Sequence, residues 1–192
     1  METVTGSSRY SSRWSSRYYR MLAVLSSVVW LSGCVPTVDS VDIERYMGLW
    51  YQISAYETSF NQGLVAVTAE YTLLEDGTVQ VFNRGYQDSF DGVVDEILGT
   101  ATVANTETNA ELVVNFPSVP FDFPFPNYLI VVLDQENYQY AAVTDPFKST
   151  LFILSRTPTL DEATYNGILE ELEALNIDTD KLIPTPQPDT IL

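Results

Sequence analysis

Cys34 is the only cysteine in this 192-residue chain, and histidine is absent altogether. A lone thiol cannot close an internal disulfide. Without histidine there is no imidazole acid–base catalysis, no Ser-His or Cys-His nucleophile pair, no His-ligated haem and no ordinary zinc site. No glycine-rich phosphate loop is visible either. The chemistry left to the chain is the Cys34 thiol and its 26 Asp and Glu carboxylates. That inventory points to binding rather than turnover, and neither a cofactor nor a metal is expected.

Cys34 closes the segment Leu31-Ser32-Gly33-Cys34, behind an uncharged run from Met21 to Ser32 and a leader bearing Arg9, Arg13, Arg17 and Arg20. The apolar run falls short of the about 20 residues that span a bilayer, but it has the length of a signal-peptide core. The pattern resembles a bacterial lipoprotein signal. The resemblance implies that residues 1–33 are removed, that Cys34 takes a diacylglyceryl group, and that its amine is acylated as well. Two anchors are needed because each buried methylene contributes only about 0.8 kcal/mol. Val35 after the cysteine, where an Asp would signal inner-membrane retention in enteric sorting, points to the outer membrane and a periplasm-facing domain. The expected organisation is a signal peptide at 1–33, a tether at 34–40 and a single domain at 41–192.

The leader holds four of the nine basic residues and one of the 26 acids, so the remainder carries five against 25, a net charge of −20. Such a surface repels nucleic acid and anionic membrane faces, and no nucleic-acid partner is expected. It reads as a solvated acidic coat.

From Trp50 onward the chain consists of short runs rich in Val, Ile, Thr, Tyr and Phe, separated by turn residues. The runs are 50–55, 66–74, 78–86, 93–104, 111–116, 128–134, 138–144 and 150–155. Asp76-Gly77 supplies the positive φ of a tight hairpin. Eight strands with short connections leave no room for crossover helices. The expected fold is all-β, an eight-stranded antiparallel up-and-down barrel, which has no free sheet edge and can enclose one small ligand. One helix follows, with Tyr165, Ile168, Leu169, Leu172 and Leu175 along one stripe. It is expected to pack outside the barrel, with Thr159 and Glu162 forming a capping box at its start. The proline-containing tail 178–188 is expected to lie extended along the wall.

Three segments together resemble the lipocalin family, in its bacterial outer-membrane branch similar to apolipoprotein D. The first is Asp42-Ile43-Glu44-Arg45-Tyr46-Met47-Gly48-Leu49-Trp50-Tyr51, with Gly48-x-Trp50 opening the first strand. The third is Leu154-Ser155-Arg156-Thr157-Pro158 at the end of the last strand. The resemblance implies that Arg156 lies across the Trp50 ring and closes the barrel base, a cation–π contact worth roughly 0.5–2 kcal/mol. The second motif is represented by Leu133-Asp134 with Tyr138 and Tyr140, in place of the family's Thr-Asp pair. Gly48, Trp50, Asp134 and Arg156 are therefore read as structural residues.

The resemblance also implies a calyx that holds a hydrophobic molecule, with fatty acids or lysophospholipids expected in this branch. Tyr71, Asn83 and Phe152 are carried over as lining residues, with Tyr128 and Phe60 as further candidates. Asn83 would place an amide in an apolar lumen, where it could hold a ligand head group or serve its neighbours instead. The stiff segment 117–126, with four prolines and three phenylalanines, is expected to pack back on the barrel, with a lipid or ligand contact as the alternative. Two other readings stay open: a lipocalin-fold enzyme using pocket carboxylates, and a filled barrel whose surface binds another envelope protein. The assembly, a homodimer included, is not fixed by the residues.

Overall fold

Alternating Val-rich runs punctuated by turn residues close on themselves here. The computed structural model describes residues 35–117 and 123–188, so Cys34, the leader 1–33, residues 118–122 and the last four residues lie outside the described residues. Nine strands occur among the described residues. They are β1 (Gly48–Tyr56), β2 (Leu64–Leu73), β3 (Val79–Gln87), β4 (Val94–Val103), β5 (Glu111–Asn115), β6 (Tyr128–Leu133), β7 (Tyr140–Thr144), β8 (Leu151–Ser155) and β9 (Leu182–Pro184). A one-turn helix α1 (Ile43–Tyr46) precedes the barrel, and α2 (Glu162–Ala174) follows β8.

The sheet runs β2-β3-β4-β5-β6-β7-β8-β1-β9, and the additional β1–β2 pairing closes the ring. Consecutive strands are antiparallel throughout. In such a meander the turns β2–β3, β4–β5 and β6–β7 gather at one end, with α1 beside them. The loops β1–β2, β3–β4, β5–β6 and β7–β8 gather at the other. These ends are called base and mouth below. The base hairpin at Asp76-Gly77 forms as its residues demand: Gly77 has φ +84, and the Asp76 carboxylate accepts from Thr78 N at 3.0 Å.

Alternation along the strands makes two cores. Trp50, Tyr71, Val81, Ala101, Val114, Val143 and Leu154 fill the interior. Leu129, Val131, Leu151 and Ile153 face outward beneath α2, which covers them with Ile168 and Leu172, flanked by Tyr165, Leu169 and Leu175. The cap of α2 is Asp161, whose carboxylate accepts from Thr164 N at 3.0 Å. The capping box expected from Thr159 and Glu162 does not form, because the nearer carboxylate takes the cap position.

The ninth strand is the element that strand counting misses. β1 and β2 pair only over 48–51 and 68–71, and above that they part. The tail fills the seam: β9 pairs with Ser54–Tyr56, Thr185 N donates to Ile53 O at 2.9 Å, and Ala66 N donates to Pro186 O at 2.8 Å. The Gln187 amide Nε2 then bridges the carbonyls of Gln52 and Val67, each at 2.9 Å. The segment expected as a tether is docked as well. Val41 N donates to Thr108 O at 2.7 Å, Val38 N to Ile130 O at 3.0 Å, and Val35 is buried in the outer core.

Candidate functional site

The base is built around Trp50. Gly48 adopts φ +92 just before it, a conformation that disfavours any side chain. Asp42 caps α1 by accepting from Arg45 N at 3.2 Å, and this short helix delivers Tyr46 into the barrel. Trp50 Nε1 donates to Tyr46 O at 2.8 Å. Arg156 Cζ lies 3.8 Å from the Trp50 ring centroid. Its guanidinium donates to Leu49 O and Arg45 O, both at 2.8 Å, and to Tyr138 O at 3.2 Å. Burial lowers the Arg156 pKa, opposed by the nearby tyrosines.

Asp134 organises the neighbouring turn, its carboxylate accepting from the backbone N–H groups of Glu136, Asn137 and Gln139. The turn carries Tyr138 at φ +58, so its hydroxyl accepts from Asp42 N at 2.9 Å and its ring lies 4.2 Å from Arg45 Cζ. Every one of these contacts serves closure. None leaves a group free for a ligand.

Above the indole, three tyrosines form a floor. The Tyr128 hydroxyl bonds those of Tyr46 at 2.9 Å and Tyr71 at 3.0 Å. The Tyr46 and Tyr71 rings stack at 5.8 Å, and Tyr71 meets Tyr128 edge-on at 6.2 Å. Burial pushes the Tyr71 phenol up to about 12, and raises Tyr46 and Tyr128 well above the ordinary value for the same reason. The floor is therefore neutral across the whole physiological range.

A void adjoins this floor. It is lined by Tyr46, Tyr71 and Tyr128 together with Val79, Val81 and Leu112 among others, and no carboxylate among the described residues borders it. Its volume is about 20 Å³. That suffices for a water, not for an acyl chain.

Of the residues read from the sequence as lining, Tyr71 and Tyr128 meet directly here. Asn83 stands one pleat higher, paired with Ala69 and Ile97 in the row that begins at Trp50. Its side chain shares the inner face with Val79 and Val81, and its buried Oδ1 accepts no hydrogen bond from any described residue. Phe152 packs against the interior core from β8. Phe60 is elsewhere, in the β1–β2 loop at the mouth and exposed.

Two interior residues escaped sequence reasoning. Tyr46 was quoted only as part of a motif, although it ends α1 with its ring centroid 5.0 Å from that of the indole. Phe116 packs against the interior core, and a Cβ at Gly99 would come within 2.6 Å of its ring. Gly99 falls inside the run 93–104, where nothing in the sequence marks its role. The glycine is there because the ring occupies its side-chain space. Of the segment 117–126, Phe123 is half-buried, whereas Phe125 is exposed against Phe147.

A family model, the lipocalin-like domain, matches residues 41–187. The chain belongs to the lipocalin family. Among similar proteins, the outer membrane lipoprotein Blc of Vibrio cholerae is 36% identical over 170 residues, covering 85% of this chain and 96% of that one. Apolipoprotein D of Bos taurus is 32% identical, with 79% of this chain and 80% of that one covered. Among solved structures, insecticyanin of Manduca sexta superposes on this lipocalin with a TM-score of 0.64 at 19% identity, over 81% of this chain and 86% of that one. That likeness concerns the fold alone.

Proposed function

We propose that this lipocalin binds one hydrophobic, single-chain ligand in its lumen, a fatty acid or lysophospholipid, and stores or carries it without catalysis. The observation that carries the reading is Asn83 Oδ1, a buried acceptor without a donor among the described residues, on the inner face it shares with Val79 and Val81. An unpaired acceptor in such a place costs about 1–3 kcal/mol unless something donates to it. The hydroxyl of a lysophospholipid glycerol, or a protonated carboxyl, has the required proton, while the acyl chain buries apolar surface at about 25 cal/mol per Å². Tyr71, Tyr128 and Phe152 supply the walls in this reading, and Phe60 stands at the entrance.

The void is too small for a chain as it stands, so loading requires interior side chains to move. This reading assigns that movement to the Phe116 ring over Gly99, which packs on the interior core next to the void-lining Val114. Binding then selects an opened population, and the cost of opening lowers the apparent affinity. Support for a lipid context comes from the relative named as an outer membrane lipoprotein, which agrees with acylation of Cys34. The domain is read as tethered to the outer membrane and facing the periplasm. The apolar lining of the void among the described residues supports binding over the enzyme reading.

The test is calorimetric titration of the delipidated protein with a lysophospholipid. One site is expected, with tighter binding in Phe116→Ala and none in Ala69→Trp, whose side chain would occupy the lumen. Unaltered affinity in Ala69→Trp would place the ligand outside the barrel and defeat the reading.

A further inference from the structure

The four mouth loops share a property that closing the barrel does not require. Each presents a large apolar side chain to solvent: Phe60 at 72% exposure, Val93 at 76%, Phe125 at 40% and Phe147 at 75%. Phe125 and Phe147 come from different loops and meet edge-to-face at 5.9 Å.

These tips are held out by ordered turns. Asp145 accepts from the backbone N–H groups of Phe147 at 2.7 Å, Ser149 at 2.9 Å and Thr150 at 2.6 Å, which fixes the loop carrying Phe147. Those bonds hold the Asp145 pKa low against the opposing effect of burial. Lys148 ties the same loop to the end of α2 through Leu175 O at 2.7 Å. In the loop carrying Phe60, Asn61 Oδ1 accepts from Thr58 N at 2.7 Å, and its Nδ2 donates to Tyr56 O at 2.9 Å. Apolar side chains clustered at one end and held in water by such turns mark an interaction surface.

The path of the N-terminal segment says what covers it. From the base the segment climbs the wall. Asp42 bonds Tyr138 and Val41 bonds Thr108, both in base turns, and Val38 bonds Ile130 midway along β6. Val35 is 4% exposed in the outer core that includes Tyr56 and Leu151, the strand residues bordering two mouth loops. Cys34 is the residue directly before Val35 in the chain. An anchor on Cys34 thus leaves the mouth half of the barrel with almost no free linker.

We infer that the barrel sits mouth-down on a lipid bilayer, the four apolar tips entering the interface of the leaflet that holds the acylated Cys34. This rests on the lipidation of Cys34 proposed above. A lumen opening onto lipid receives its ligand laterally, without the acyl chain crossing water. The charges at the rim, among them Glu57, Asp88 and Asp91, select the surface. Zwitterionic lipid accepts the mouth, and anionic lipid repels it unless salt screens the charges.

The test uses the acylated chain beginning at Cys34, reconstituted into phosphatidylcholine vesicles whose acyl chains carry bromine, a short-range quencher of indole fluorescence. Trp50, at the base, is the internal reference. Phe147→Trp adds a reporter at the mouth, and Leu74→Trp one at the base turn, each read as the difference from the parent and each checked for folding by an unchanged urea midpoint. The mouth reporter is expected to lose most of its emission, while the base reporter and Trp50 lose little. Equal quenching of the two reporters, or stronger quenching of Leu74→Trp, overturns the orientation. Mass spectrometry of the N-terminal peptide separates the two failures. An unmodified Cys34 refutes the anchor and this orientation with it, whereas an acylated Cys34 beside an unquenched mouth reporter refutes the orientation alone.

Discussion

The two ends of the barrel solve opposite problems with the same residue types. At the base, aromatic rings and cations are matched: Trp50 with Arg156, Tyr138 with Arg45, and three phenols with one another. At the mouth, the loops satisfy their own backbones through Asn61 and Asp145, yet leave Phe60, Val93 and Phe147 in water. Buried aromatics matched to cations and carbonyls make a seal, and the exposed ones make the docking surface inferred above. The difference teaches that the energy of closure is concentrated at one end.

Trp50→Ala is the largest expected break in this contrast. It empties the centre of the seal and should cost roughly 3–5 kcal/mol in urea unfolding. A loss below about 1 kcal/mol would mean that the base is not the keystone. Arg156→Met strands three backbone carbonyls and should cost about 2–3 kcal/mol. Arg156→Lys would recover only part of this, since an ammonium cannot reproduce the planar fork.

Alkaline pH probes the same end. The folded Tyr71 titrates near 12 and the unfolded phenol near 10, so its stabilisation is whole below about pH 10 and fades as pH rises towards 12. Roughly 2–3 kcal/mol should disappear across that window, with tyrosinate absorbance appearing as the protein unfolds. Absorbance from all tyrosines near pH 10 without unfolding would contradict the buried floor. Phe147→Ser and Phe60→Ser, at the mouth, should shift stability by no more than about 0.5 kcal/mol. The same changes should weaken binding to zwitterionic vesicles in sedimentation.

The sequence made the wall and its seal readable because both rest on local patterns. Period-2 alternation and Asp76-Gly77 mark the strands, and Gly48-x-Trp50 with Leu154-Ser155-Arg156 marks Trp50 and Arg156, 106 positions apart, whose only common signal is a family motif. What stayed hidden depends on tertiary detail. Nothing local says that the tail enters the β1–β2 seam, because that gap exists only once the barrel has closed. Nor does Gly99 announce that Phe116 fills its place. Thr159 looked like a helix cap by spacing to Glu162, and Asp161 took the role because it stood adjacent to the first turn. Phe60 was grouped with the lumen by residue type alone, and the fold puts it at the rim.

The central claim, an acyl chain held inside the barrel, is tested most directly by affinity across a series of lysophospholipids of increasing chain length. Burial in the lumen predicts a gain of up to about 0.8 kcal/mol for each added methylene until the space is full, then a plateau. The plateau should move to longer chains in Phe116→Ala. Affinity that does not change with chain length, in the native protein and in Phe116→Ala alike, would contradict the account.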